Sequence, residues 1–145
     1  MRITRINPDT LHTPPGYHHV TIAAATVHLA GQCPLDRSGT VVSPTDIADA
    51  ATLTAQVTQV IDNSLTALSA GNVTPADVVR SVIYIATDDR ALLSLAWSLF
   101  TSSPLAPAFT SASTLLGVAV LGFPGQVVEL DLTAVQNPAP PAVSP

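Results

Sequence analysis

The chain has no lysine and a single cysteine in 145 residues, and only 10% of it is charged and 4% aromatic. Each scarcity removes a class of chemistry. Without lysine there is no Schiff-base amine and no Walker-type phosphate loop. The cations are five arginines, Arg2, Arg5, Arg37, Arg80 and Arg90, and they are dispersed. Nucleic-acid binding needs clustered cations against phosphates, so it is not expected. The lone Cys33 excludes an internal disulfide framework and any multi-cysteine zinc site, and a free thiol fits a reducing cytoplasm. Long apolar runs are also missing. Mean hydropathy is high at +0.41, yet Ser, Thr, Gly and Pro interrupt every stretch before it could span a bilayer. Asn7, Pro8, Asp9 and Thr10 stand where a signal peptide would turn apolar, so neither a membrane span nor a signal peptide is expected. With 47% hydrophobic residues and no membrane to receive them, subunit packing is the expected destination of the excess.

What is present reads as one domain over 1–136, followed by a proline-rich tail at 137–145 that is expected to be disordered. Residues 1–16 are polar and proline-broken. Tyr17 to Ala23 and Thr26 to Ala30 alternate with period two and read as a hairpin turning near Ala24 and Ala25. Pairing Val20 with Leu29 and Ile22 with Val27 makes one continuous apolar face. Tyr17, His19, Thr21, His28 and Ala30 then share the other. Ser43-Pro44-Thr45-Asp46 reads as a helix start. Leu53, Val57, Val60, Ile61, Leu65 and Leu68 continue it at helical spacing until Gly71. Val78 to Ala86 reads as a strand, and Asp89 to Phe100 as a second helix with Leu92, Leu95, Ala96 and Leu99 inward. After a Ser/Pro-rich loop, Thr114 to Leu121 and Gln126 to Val135 read as strands joined at Phe123-Pro124-Gly125. The order β-β-α-β-α-β-β gives an α+β fold, a mixed sheet with two helices on one face. A partner subunit is expected on the other face.

Particular residues carry a family resemblance. Gly16-Tyr17, then Gly31-Gln32-Cys33-Pro34-Leu35-Asp36 and Gly39-Thr40-Val41-Val42, resemble the opening of the RidA (YjgF, UK114) family. Gln56, Asn63, Leu65, Leu68 and Gly71 resemble its first helix, and Val78-Val79 to Ile85 its third strand. Thr114 to Val118, through Pro124-Gly125, to Val128-Glu129-Leu130-Asp131 and Ala134 resemble its closing hairpin. The likeness covers about residues 16–136. It implies a chorismate-mutase-like fold and a homotrimer with clefts between subunits. It also implies, for the best-known branch, cofactor-free hydrolysis of reactive enamines and imines to keto acids and ammonia.

Carried over residue by residue, the resemblance puts Tyr17 and Glu129 in catalytic roles and Gly31 in the cleft wall. Ser94 and Trp97 fall where the family often has cleft-facing residues. The arginine that grips the substrate carboxylate in that family is missing. Ser113 takes its place, or Phe109 in a second alignment. A guanidinium offers two charge-assisted hydrogen bonds and a serine one neutral donor. The expected substrate is therefore larger and less acidic than a simple imino acid, an enamine, imine or related reactive carbonyl intermediate of specialised metabolism, held in an apolar cleft of Ser113, Phe109, Trp97 and Leu115 and undergoing hydrolysis, tautomerisation or assisted condensation. Glu129 would carry protons, its carboxyl pKa raised by desolvation, and Tyr17 would donate a hydrogen bond. His19, placed among the binding residues, reads with His28 as a polar filler more readily than as an acid–base pair or as two metal ligands. No metal or other cofactor is expected. A non-catalytic trimer that binds a metabolite or a partner protein is the alternative, and a ribonuclease the third reading.

Overall fold

The computed structural model describes residues 1–138 and 142–145. Six strands form one sheet in the order β1-β2-β3-β6-β4-β5. In chain order these are β1 (Ile3–Ile6), β2 (Val20–Ala23), β3 (Thr26–Leu29), β4 (Val78–Ile85), β5 (Ala112–Gly117) and β6 (Val128–Val135), with α1 (Ala50–Ala70) and α2 (Arg90–Thr101) between them. The β4–β5 pair is parallel, with α2 as its crossover, and all other pairs are antiparallel. The expected mixed sheet with two helices is what forms. The β2–β3 register is also the expected one, Val20 opposite Leu29 and Ile22 opposite Val27.

Period-two burial decides which face meets the helices. Along β6, Val128, Leu130, Leu132 and Ala134 are fully buried while Glu129, Asp131 and Thr133 are half-buried. Ile83 and Ile85 of β4 join the buried set. They pack with Leu53, Val57, Val60 and Leu68 of α1 and with Ala96 and Phe100 of α2 in one core. The opposite sheet face carries Arg80, Tyr84, Leu116, Glu129 and Asp131, and no helix among the described residues covers it.

Four expectations need correction. Helix α1 starts at Ala50, not at Ser43-Pro44. Ser43 has φ +43, and Asp49 instead forms a capping box with Thr52, accepting from its backbone N–H at 2.8 Å. An extra strand, β1, lies within the supposedly irregular N-terminus and pairs with the edge of β2. Its alternation is too short to read, and its pairing supplies partners that β2 would otherwise lack. The loop before β5 contains a 3₁₀ turn, Ala106–Thr110. The last two strands are not a hairpin. The alternately buried β6 inserts between β3 and β4, and β5, largely exposed, takes the edge. The expected tail begins at Asn137, whose side chain donates to Asp77 at 2.7 Å. Its residues 139–141 lie outside the described residues. Among the described residues no helix is long and apolar enough to cross a membrane.

Candidate active site

Tyr17, Ala30, Gly31, Cys33, Gly122, Phe123, Gln126 and Glu129 line one depression of about 320 Å³ on the uncovered sheet face. A second, of about 460 Å³, shares Gly31 and Glu129 and adds Leu29, Tyr84, Val118, Val120, Leu121 and Asp131. Glu129 is the common floor. Its place follows from β6 parity, because its neighbours Val128 and Leu130 are both turned into the core. Gly31 faces it so closely that a Cβ there would collide with the carboxylate.

Other elements hold this floor in place. The Asn63 amide of α1 donates to the Cys33 and Leu35 carbonyls at 3.0 and 2.8 Å, fixing the segment that follows Gly31. Gln32 bridges to β6 by exchanging backbone hydrogen bonds with Leu130. Gln126 is buried, accepts from the Phe123 N–H at 3.1 Å and donates to the Val128 carbonyl at 2.9 Å.

Burial pushes the Glu129 carboxyl above its ordinary range. The neighbouring Cys33 thiol and Gln126 amide oppose that shift, and the Asp131 charge adds to it. Burial raises Tyr17 as well, with smaller contributions from its neighbours Cys33 and Glu129, so its hydroxyl stays a donor at neutral pH. The Cys33 thiol is pushed up to about 12, chiefly by burial. It is neutral and therefore no nucleophile.

Space at Gly31 is testable without touching a reacting group. Gly31→Ala should displace the Glu129 carboxyl. The flexible side chain can move aside, so the thermal midpoint should shift by only a few degrees while turnover falls by about 10²-fold through misplacement. Full turnover in that variant would show that the contact is not needed.

The fold brings Tyr17, Gly31 and Glu129 together and leaves the other candidates elsewhere. Ser113 pairs with Ser81, and their hydroxyls meet at 2.6 Å. Ser81 shares its face with Ile83 and Ile85, so Ser113 and Leu115 turn to the helix side, away from Glu129. Trp97 and Phe109 stack edge-on at 5.8 Å within the helix layer, and Phe109 is buried. Ser94 is exposed on α2 and lines neither depression. The helix-side position of Ser113, Leu115, Trp97 and Phe109 follows from strand parity and helix packing, which alignment alone does not reveal. Gln126, Tyr84, Asp131 and the 118–123 loop were not among the expected site residues. Asp131 alone left a signal, as the next outward residue after Glu129.

His19 is also outside the depressions. It is 2% exposed, donates from Nε2 to the His12 carbonyl at 2.9 Å and receives the His12 ring edge-on at 4.8 Å. The two histidines thus clasp the segment that carries Tyr17 onto β2. Both His12 ring nitrogens are buried without a partner among the described residues, and burial, then His19, lower its pKa below 6.5. A base depressed in the fold takes up protons more readily once unfolded. Stability should therefore fall as pH drops below 6.5. Melting curves from pH 7.5 to 5.5 should show a smaller loss in His12→Phe than in the native chain. Equal losses would remove His12 as the cause. Among the described residues no three metal-ligating side chains converge.

Comparison with known proteins agrees with this architecture. The family model described as Endoribonuclease L-PSP matches residues 9–136. No curated protein sequence gives a significant match. Solved structures do. YEO7 of yeast superposes with TM-score 0.78 at 20% identity, over 94% of this chain and 100% of that one. RidA from an Antarctic Psychrobacter gives 0.74 at 21%, over 92% and 99%. The YjgF gene product of E. coli gives 0.72 at 21%, also over 92% and 99%. At such identities these likenesses establish the fold, while the family match spans nearly the whole described domain. The chain belongs to the Endoribonuclease L-PSP family, that of the RidA and YjgF proteins.

Proposed function

We propose that this chain hydrolyses reactive enamines or imines in the depression floored by Glu129, in the cytoplasm and within specialised metabolism. The observation that supports it best is a desolvated carboxyl beside a protonated phenol in a mostly apolar depression. Glu129 takes a proton from water as the water oxygen bonds to the imine carbon, then returns it to the departing nitrogen. The hydroxyl proton of the resulting carbinolamine follows to nitrogen through Glu129 as the C–N bond breaks with its electron pair on nitrogen, leaving a carbonyl compound and an amine. Tyr17 donates a hydrogen bond to nitrogen or to the developing alkoxide. No cofactor enters this scheme. In this reading three copies assemble and cover the open sheet faces, so that each depression lies near a subunit boundary. The exposed apolar side chains of that surface, Val120 at 78% and Leu116 at 42%, favour such cover.

The test is carbonyl or ammonia release from freshly generated imines above the spontaneous rate, with RNA cleavage measured beside it. RNA cleavage is expected to be absent, because no arginine, lysine or histidine lines either depression to receive a phosphate. A chain that cleaves RNA and leaves imines untouched would reverse the reading.

A further inference from the structure

Resting on that reading, we infer that the substrate is a cationic iminium with an apolar body and no carboxylate. The sign of the charge around the reacting position carries this. Glu129 and Asp131 stand two residues apart on the same face of β6, about 7 Å by strand spacing, and both line the second depression. Neither depression is lined by an arginine, a lysine or a histidine. The cations placed on the same face by the sheet register are Arg80, opposite Thr133, and Arg5, whose rung runs through Thr21 and His28 to that same Thr133. Their rung lies four residues along β6 from that of Glu129, about 13 Å away; Arg5 is three strands further across the sheet on β1, and the Arg80 guanidinium leans to the other side, 3.4 Å from the Thr114 hydroxyl of β5.

An imino acid bound here would set its carboxylate against two acids with no counter-charge. A protonated imine meets the opposite situation. Its positive nitrogen finds the Glu129 carboxylate below and the Tyr17 and Tyr84 rings at the sides, where cation–π attraction adds to the ion pair. Val118, Val120, Leu121 and Phe123 offer its alkyl body an apolar wall. Water adds to the iminium carbon with loss of a proton to Glu129. That proton then goes to nitrogen, the C–N bond breaks with its electron pair on nitrogen as the C=O bond forms, and the hydroxyl proton passes through Glu129 to the released amine, so iminium and water become a carbonyl compound and an ammonium ion without a further reactant.

Two imines with the same side chain separate charge from size. One is made in situ by oxidising 3-methylbutylamine and the other by oxidising leucine, which adds only the carboxylate. At pH 7 the carboxylate-free imine should be hydrolysed with at least about 10-fold higher kcat/KM, and Asp131→Asn should narrow the gap severalfold by favouring the anionic imine. Equal rates, or preference for the leucine imine, would overturn the inference while leaving imine hydrolysis in place. If that preference vanished in Arg80→Ala, the Arg80 guanidinium would be supplying the counter-charge and the site would not be a cation site. Should neither imine be hydrolysed, the hydrolase reading fails and binding decides the charge question. Saturation by 3-methylbutylamine but not by 3-methylbutanoate, weakened in Asp131→Asn, supports a cation site. The reverse selectivity, or no binding of either, ends it.

Discussion

Replacing Glu129 by glutamine should slow imine hydrolysis by about 10²-fold or more, the usual range for a lost proton carrier, without harming the fold. The amide has the same shape and keeps its distance from Gly31, so packing is preserved and only the titrating site is lost. Burial raises the Glu129 pKa above 4.5. Such a carboxyl holds its proton more tightly folded than unfolded. It stabilises the protein at low pH, and that contribution is lost as pH rises through its folded value. At neutral pH the native chain therefore bears a desolvation cost that glutamine does not, and the variant should melt at the same temperature or slightly higher. The pH–rate profile supplies the second reading. A limb lying above the ordinary glutamate range should be present in the native enzyme and missing from Glu129→Gln. Turnover within about threefold of native, with that limb intact, would move the proton chemistry to another group. A lost rate accompanied by a lower melting point would mean that the carboxylate was holding the depression together.

Most of the layer architecture was legible in the sequence because burial imposes local periods. Val20, Ile22, Val27 and Leu29 show a period of two, and a short connection leaves few registers open. Leu53, Val57, Val60 and Leu68 show the helical stripe, and all four are buried where the stripe puts them. Non-local choices were not legible. Nothing within Gln126 to Val135 says that this strand enters between β3 and β4, since the energy gained comes from partners far away in the chain. The same blindness governs the site. Alignment can set Ser113 at the position of a missing arginine, but the register with Ser81 decides which face it occupies, and that face is the helix side. The outward face of Glu129 was readable because its own strand alternates cleanly, while its catalytic role came from the resemblance alone. Trp97 and Phe109 were not, because an aromatic at helical spacing fits a core and a cleft equally well. Gln56 and Asn63 stood out as part of a family pattern, and only the fold shows why an amide belongs at each.

Gln56 carries the largest expected effect on stability. It is fully buried in the middle of α1. Its carbonyl oxygen accepts from the Val127 N–H at 2.8 Å, and its amide donates to the Gly125 and Ser43 carbonyls at 2.8 and 3.1 Å. One side chain thus satisfies three backbone groups in two irregular segments, and Val127 itself is buried. Gln56→Leu keeps the volume and removes every one of these partners. A buried backbone group left without a partner costs about 1–3 kcal/mol. Ser43 is exposed and can turn to water, and the half-buried Gly125 carbonyl keeps the Thr45 N–H at 3.1 Å, so the loss falls mainly on the Val127 N–H, for about 2 kcal/mol in all. In a domain of this size that lowers the melting point by about 6 °C. Thr54→Ala, on the solvent side of the same helix, should change it by little, although Thr54 also bonds to backbone, at Ala50. The contrast separates the amide's bridging role from helix propensity, which both substitutions leave unchanged or improve and which therefore cannot account for a loss. Residues 125–127 lead directly into β6, and Gln126 lies beside Glu129, so a loosened Gln56 variant should also lose imine turnover below its melting point. A Gln56→Leu chain that melts like Thr54→Ala would show that water replaces the amide at no cost, and that another contact fixes the approach to Glu129.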